Sequence, residues 1–183
     1  MKKMILLLMS LLIVVNCAVA KVQEFDPYKD RDPKASKILF DVILRDEEWT
    51  KEEAAKNFNV NLDKSSAFFV DLNDDGVNEI IGVNWSSFFF CKQGLQIFIL
   101  HKEKGEYKNI SDGMHFEPQR KIKVLDEKTF GFRDILTYCI DLRHIPWSDA
   151  PYNPSVFKYY KGKYVYEYVT KQEMDYQCPV PQK

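Results

Sequence analysis

The spacing of apolar residues predicts two helices near the start of the chain. After residue 32 they recur every three or four positions, as on one face of an amphipathic helix, at Ala35, Ile38, Leu39, Val42 and Ile43. Asp32 is a suitable N-cap for this helix, and Pro33 suits its first position. Thr50 and Glu53 form a capping-box pattern that predicts a second short helix, ending at about Asn57.

From residue 66 onward the pattern is typical of β-strands. Short apolar or alternating runs are separated by turn residues such as Lys104-Gly105 and Lys161-Gly162, as in antiparallel strands joined by hairpins. The predicted strands cover residues 67–70, 79–85, 95–101, 107–110, 121–125, 130–140, 156–160 and 164–169. The predicted fold class is α+β, with two N-terminal helices packed on an antiparallel, meander-like β-sheet of about six to eight strands.

The first twenty residues have the pattern of a secretory signal peptide. Two lysines precede an apolar run at residues 4–15, and Ala18-Val19-Ala20 is a small-x-small cleavage pattern. The apolar run is too short to span a bilayer. We therefore expect cleavage after Ala20 and a periplasmic or secreted protein. The alternative is a lipoprotein anchored at Cys17, which the preceding Asn16 disfavours.

The rest of the chain predicts one domain. The sequence has 183 residues, of which 45% are hydrophobic, and this length suits one core but is short for two domains. We expect residues 21–31 to be a polar leader segment, residues 32–171 the single α+β domain, and residues 172–183 a polar C-terminal tail. No apolar run after the signal peptide is long enough to span a membrane. A net charge of −1 without a basic patch argues against nucleic acid as a partner.

The clearest chemistry lies in the stretch from Asp71 to Glu79, which reads D-x-N-x-D-G-x-x-E. Its four carboxylates repel one another unless they are solvated, protonated or neutralised by a cation. A hairpin turn alone needs only one Asp or Asn and a Gly. The excess of acids predicts one bound Ca²⁺, with oxygen ligands from the side chains of Asp71, Asn73, Asp75 and Glu79 and the carbonyl of Val77. The alternative is a hairpin turn with solvated acids.

This loop does not follow the EF-hand pattern, because its eighth residue is Asn78 and its twelfth is Gly82. Placed between two predicted strands, it resembles instead the calcium loops of FG-GAP and VCBS-like repeats, which occur in integrin-type propellers. It is also similar to a group of small exported bacterial proteins that carry the motif once, as DLNGDG followed by two residues and an acid.

The resemblance to those exported proteins extends over roughly residues 66 to 168. A cysteine-containing turn matches Phe90-Cys91, a "G-[YF]-R-D-[IL]" segment matches Gly131 to Ile135, and a tyrosine-rich hairpin matches Tyr159 to Tyr164. The chain departs from the group at Asp74, where Gly is usual, and in lacking a second cysteine near Cys91. The resemblance implies a fold and a metal more than an activity.

Three cysteines remain after cleavage at Ala20, namely Cys91, Cys139 and Cys178. In an oxidising compartment two of them are expected to pair, and the sequence leaves the pairing open. A set of aromatic residues near the loop and in the last hairpin is a candidate binding patch, with strand core as the alternative. Its members are Trp85, Phe88, Phe89, Tyr164 and Tyr166.

No enzyme is predicted, since no Ser, Cys or His stands in a recognisable catalytic motif. The leading hypothesis is an exported, non-enzymatic module in which one structural Ca²⁺ stabilises the hairpin loop. The alternative is a protein-binding inhibitor of the immunity type, whose partner would be an envelope or secreted protein. A hydrolase is the third class, for which the sequence supplies no nucleophile with a matching base.

Overall fold

The computed structural model describes residues 23–91, 94–118, 120–140 and 152–167, which form two α-helices and eleven β-strands. The helices are α1 (Pro33–Asp46) and α2 (Lys51–Phe58), and single 3₁₀ turns follow at Leu62–Lys64 and Ser87–Phe89. The strands are β1 (Gln23–Phe25), β2 (Ser65–Val70), β3 (Glu79–Asn84), β4 (Phe90–Cys91), β5 (Gly94–Glu103), β6 (Glu106–Asn109), β7 (His115–Phe116), β8 (Ile122–Thr129), β9 (Phe132–Ile140), β10 (Tyr152–Tyr160) and β11 (Lys163–Glu167).

All pairings between these strands are antiparallel, so the predicted α+β class with two helices and antiparallel strands is confirmed. The predicted signal peptide, Cys17 and the predicted C-terminal tail lie outside the described residues. No helix within the described ranges is long and apolar enough to cross a membrane.

The strands form two sheets where the sequence predicted one. The first sheet has the order β1-β8-β9-β10-β11, and the second has the order β2-β3-β5-β4, with β6 and β7 also paired to β5. Both edges of β5 are occupied, because Leu100 pairs with β3 and β6 and Leu95 pairs with β4 and β7. No edge of β5 is left for β8, which therefore starts a separate sheet. Residues 23–25, inside the expected leader segment, pair with β8 as strand β1.

Helix α1 begins where the sequence predicts and covers the free edge of β2. Asp32 is the N-cap, and its Oδ1 accepts a hydrogen bond from the Ala35 N–H at 2.8 Å. The Asp32 N–H donates to the Ala67 carbonyl oxygen at 2.9 Å, and the Ala67 N–H donates to Ser36 Oγ at 3.1 Å. These bonds satisfy backbone groups of β2 that would otherwise be open to pairing with another chain.

The two sheets contact each other at several points around one hydrophobic core. Phe25 of β1 stacks on Phe68 of β2, with ring centroids 4.0 Å apart. At the β11 edge of the first sheet, the Tyr164 N–H donates to the carbonyl oxygen of Ile110, which follows β6 of the second sheet, at 2.7 Å. The core cluster includes α1 and both sheets, and its largest fully buried side chains include Tyr164, Phe116, Phe157, Leu39, Ile43 and Leu72.

Gly82 in β3 lies in close contact with Leu39 of α1 and with β2. A Cβ built on this glycine would lie 2.5 Å from Ala67 Cβ, 2.7 Å from Leu39 Cδ2 and 2.8 Å from the Ser66 carbonyl oxygen. Separations below 3.0 Å cannot be accommodated without movement of the neighbours. The absence of a side chain at Gly82 therefore sets how closely the helix packs on β2 and β3.

Gly82→Ala is expected to destabilise the protein by about 2 kcal/mol, because the added methyl group overfills this contact. The free energy of unfolding in urea measures the effect. Adding Ala67→Gly should recover part of the loss, since the Ala67 methyl is the nearest neighbour and the Ser66 carbonyl would still be crowded. A Gly82→Ala protein as stable as the wild type would contradict the close approach of α1.

Candidate metal centre

The acidic loop connects β2 to β3 as a hairpin. Val70 pairs with Glu79, so residues 71–78 form the loop and Glu79 is the first residue of β3. Strands flank the loop on both sides, as the sequence predicts. Gly76 has a φ of 81° and Asp74 a φ of 60°. Both lie in the left-handed region, which Gly, Asn and Asp tolerate better than other residues.

Side chains of the loop accept hydrogen bonds from the loop's own backbone. Asp71 Oδ2 accepts from the Gly76 N–H at 2.9 Å, and Asp75 Oδ1 accepts from the Val77 N–H at 2.7 Å. Asn73 Oδ1 accepts from the Asp75 N–H at 3.1 Å, while Asn73 Nδ2 donates to Asp75 Oδ2 at 2.8 Å. These bonds fold the segment into a compact turn around its own oxygen atoms.

One carboxylate oxygen of the loop is left without a partner. Asp71 Oδ1 is buried and makes no hydrogen bond with any described residue. A buried charged oxygen in this state requires a cation, a water molecule or a proton. This unpartnered oxygen atom is the feature of the structure that favours a bound cation at the loop.

A hard cation at the loop would need neutral oxygens among its ligands. Among the described residues no three His, Cys, Asp or Glu side chains converge on one point. A cation here would therefore rely on the Asn73 amide oxygen, the Val77 carbonyl and water in addition to the carboxylates of Asp71 and Asp75. Calcium accepts such mixed sets of about six to eight oxygens, whereas zinc prefers nitrogen and sulfur in fixed tetrahedral sites.

Glu79 closes the base of the loop. Its side chain is fully buried. Glu79 Oε2 accepts from the Leu72 N–H at 2.8 Å, and Oε1 lies 2.8 Å from His101 Nδ1. Burial raises the pKa of the Glu79 carboxyl, and the bonds to Leu72 and His101 offset part of that rise. Both oxygens of Glu79 are thus already bonded within the protein.

Sequence reasoning missed His101 as part of this site. Ile80 pairs with Leu100, so Glu79 and His101 are opposite one another on adjacent strands. β4 separates β3 from β5 in the chain, and no local pattern indicates which strand β3 pairs with. The sequence feature that could have indicated this contact is the histidine itself, which lies at the end of the strand predicted for residues 95–101.

Asp74 points away from the loop and contacts the first sheet. It forms a hydrogen-bonded ion pair with Lys128, and its Oδ1 accepts from Arg133 NH2 at 3.1 Å. The Arg133 N–H also donates to the Leu72 carbonyl oxygen at 2.7 Å. The bonds to Lys128 and Arg133 lower the pKa of the Asp74 carboxyl. The negative charge of Asp74 therefore stabilises the contact between the acidic loop and the first sheet.

Two members of the candidate aromatic patch belong to the core. Phe89 is buried, with its ring edge-on to Phe98 at a centroid distance of 5.1 Å. Tyr164 is fully buried, and its hydroxyl donates to the Arg133 carbonyl oxygen at 2.8 Å. The prediction of a five-residue surface patch is corrected at these two positions, because their side chains point into the core between neighbouring elements.

Trp85 and Phe88 each pack against a neighbouring aromatic ring. Trp85 is half-buried and stacks on Tyr28 at a ring-centroid distance of 4.2 Å. Phe88 is exposed but packs edge-on against Trp49, at 4.9 Å, beside α2. Tyr166 lies in β11, and its side chain is outside the described part of the structure.

The predicted disulfide remains a prediction. Cys91 lies in β4 of the second sheet and Cys139 in β9 of the first. The side chains of both, and the whole of Cys178, are outside the described part of the structure.

Comparison of the chain with protein-family models, with curated proteins and with solved structures finds no match in any of the three.

Asp74→Asn is expected to lower stability at neutral pH, because it removes the charge that Lys128 and Arg133 bind while keeping a residue that tolerates positive φ. The folded-state pKa of Asp74 lies below its usual 3.8, so its contribution is present above that value and is lost as pH falls through the lower folded-state value. The difference in urea midpoint between wild type and variant should therefore shrink in strong acid.

Added salt should reduce the same difference, because the pair is exposed and screened. Glu106→Gln, which removes an exposed acid from β6, is the matched control and should have a smaller effect. A constant difference between wild type and Asp74→Asn at all pH values and salt concentrations would contradict the ion-pair account.

Proposed function

We propose that the protein is an exported, non-enzymatic module whose loop from Asp71 to Glu79 binds one Ca²⁺. The proposal is supported chiefly by Asp71 Oδ1, a buried carboxylate oxygen without a hydrogen-bond partner among the described residues. The signal-peptide pattern of the sequence supports export. Extracellular and periplasmic fluids would then supply calcium to a low-affinity site. An affinity on the order of 10⁻⁵ to 10⁻³ M is expected for a single loop of this kind.

The ligands would be Asp71 Oδ1, the side-chain oxygens of Asn73 and Asp75 and the carbonyl of Val77, with water completing the shell. Glu79, whose two oxygens are bonded to the Leu72 N–H and to His101, would act through its charge from outside the shell. Calcium would supply positive charge to a place where negative charge is concentrated. Burial raises the pKa of Glu79, and the nearby charge of Asp75 adds to that rise. The ion would therefore offset the repulsion between the two carboxylates in addition to filling the open coordination of Asp71.

The effect of the ion would be structural. The loop connects β2 and β3, α1 lies against both strands, and the Leu72 carbonyl accepts a hydrogen bond from Arg133 of the first sheet. A cation that fixes this loop would stabilise the β2-β3-β5 part of the sheet on which α1 packs. It would also stabilise the contact between the two sheets.

Calorimetric titration with Ca²⁺ tests the proposal. At free calcium about 100-fold above Kd, the folded state gains about 2.7 kcal/mol, and the midpoint of thermal unfolding should rise by roughly 5–10 °C. Asp71→Asn should remove most of the binding heat, because it takes away the charge at the open position while leaving an oxygen for the Gly76 N–H.

Asp63→Asn is the matched control, since Asp63 is an exposed acid in a 3₁₀ turn outside the loop. It should bind calcium like the wild type. The proposal fails if the wild type shows neither binding heat nor a shift of the unfolding midpoint. It also fails if Asp71→Asn binds calcium as tightly as the wild type does.

A further inference from the structure

Two hairpin tips of the first sheet lie side by side and expose aromatic rings. The β8–β9 hairpin turns at Phe130-Gly131, and the β10–β11 hairpin turns at Lys161-Gly162. The ring centroids of Phe130 and Tyr160 are 5.7 Å apart, and Lys161 Nζ lies 5.1 Å from the centroid of the Tyr160 ring. We call Phe130, Tyr160 and Lys161 the tip patch.

Phe130 occupies a backbone conformation that disfavours a bulky side chain. Its φ is 50° and that of Gly131 is 87°, as in a two-residue turn with both central residues left-handed. Asn, Asp or Gly is preferred at the first position of such a turn, and a bulky residue there is an outlier. Two other hairpins of this kind among the described strands carry lysine at that position, Lys104 and Lys161.

Core packing does not explain the phenylalanine. Phe130 is 73% exposed, and the adjacent Tyr160 is 45% exposed. The ring therefore gains little from burial within the protein, while the turn would fold better with another residue. The backbone position is unfavourable for Phe130, and its apolar ring is exposed. Together these features indicate that the ring contacts another molecule.

The β10–β11 side of the tip patch carries an excess of positive charge, whereas the β8–β9 hairpin also carries Asp126, which is bonded to Arg133, and Glu127. The β10–β11 hairpin has lysines at 158, 161 and 163 and no acid between residues 158 and 165. Lys161 makes no ion pair with any described residue and contacts only the Tyr160 ring. Lys163 is 3.8 Å from Asp112, and its side chain is 60% exposed. Lys161 can thus approach an anionic surface directly, and Lys163 can do so by leaving its exposed ion pair with Asp112.

The shape of the tip patch favours a lipid surface over a folded partner. The rings project from convex hairpin tips, so a protein partner would have to supply a matching pocket. The interface of a bilayer accepts protruding rings without a preformed pocket, and phenylalanine, tyrosine and lysine are typical residues of that interface.

We propose that the tip patch docks reversibly on an anionic phospholipid surface. Phe130 enters the boundary between headgroups and acyl chains, Tyr160 lies at headgroup level, and Lys161 and Lys163 approach the phosphates. One inserted ring with two lysines gives weak binding, with a partition constant on the order of 10³ to 10⁴ M⁻¹. This docking does not rest on calcium binding at the acidic loop.

Sedimentation with vesicles tests the proposal on the protein isolated from the cells that produce it. Mass spectrometry identifies its N-terminus, and all variants must have the same N-terminus as the wild type. The wild type should bind vesicles of phosphatidylglycerol and phosphatidylcholine at least about fivefold more tightly than pure phosphatidylcholine, as two lysines near an anionic surface require. Chelation of calcium by EDTA should leave the binding unchanged.

Phe130→Asn separates lipid binding from folding. It should reduce the partition constant about tenfold through loss of the inserted ring. It should also raise the midpoint of thermal unfolding, because Asn-Gly suits this turn. A loss of binding in this variant therefore cannot result from unfolding. Lys161→Gln should reduce binding about fivefold on the anionic vesicles and have little effect on the neutral ones.

Phe90→Ser and Lys104→Gln are the matched controls. Phe90 is 47% exposed in β4 of the second sheet, and Lys104 lies at the tip of the β5–β6 hairpin. Both variants should bind anionic vesicles like the wild type. The proposal is overturned if Phe130→Asn binds as tightly as the wild type, if the controls lose as much binding, or if binding requires calcium. Failure to bind any vesicle would also overturn it and would point to a protein partner.

Discussion

The hairpin between β2 and β3 depends on one buried carboxylate. Glu79 is inaccessible to solvent, and its two oxygens are bonded to the Leu72 N–H and to His101 Nδ1. A buried carboxylate without such partners is strongly unfavourable. The two bonds consequently fix the start of the loop, the start of β3 and the pairing of β3 with β5. The positions of the other loop residues follow from these fixed ends.

The proposed cation site lies between these fixed ends. The N–H groups of Asp75, Gly76 and Val77 are bonded to side chains of the loop, and the carboxylate oxygen Asp71 Oδ1 has no partner among the described residues. Asp74 does not add to this excess, since its charge is bound by Lys128 and Arg133. That contact gives a structural reason for an aspartate at this position. Aspartate tolerates the left-handed backbone and also joins the loop to the first sheet.

The β8–β9 hairpin combines two different roles within a few residues. Lys128 and Arg133, on its strands, contact the acidic loop, whereas Phe130, at its tip, is directed to solvent. The first contact favours the folded state, and the second feature disfavours it slightly because the turn is suboptimal. Local rules of folding are most often broken at sites where a surface has a function. The β8–β9 hairpin therefore contacts the acidic loop through its strands and presents part of the tip patch at its turn.

The sequence by itself determined the local elements, because caps, turns and alternation act over a few residues. Asp32 and the Thr50–Glu53 capping box begin the helices where predicted, and strands flank the acidic loop. Only the tertiary structure decided the contacts between distant segments. Occupation of both edges of β5 divides the strands into two sheets, and the pairing of β3 with β5 brings His101 to Glu79. The sequences of the segments in these contacts do not indicate their partners, because pairing depends on which edges and faces remain available once the core is packed.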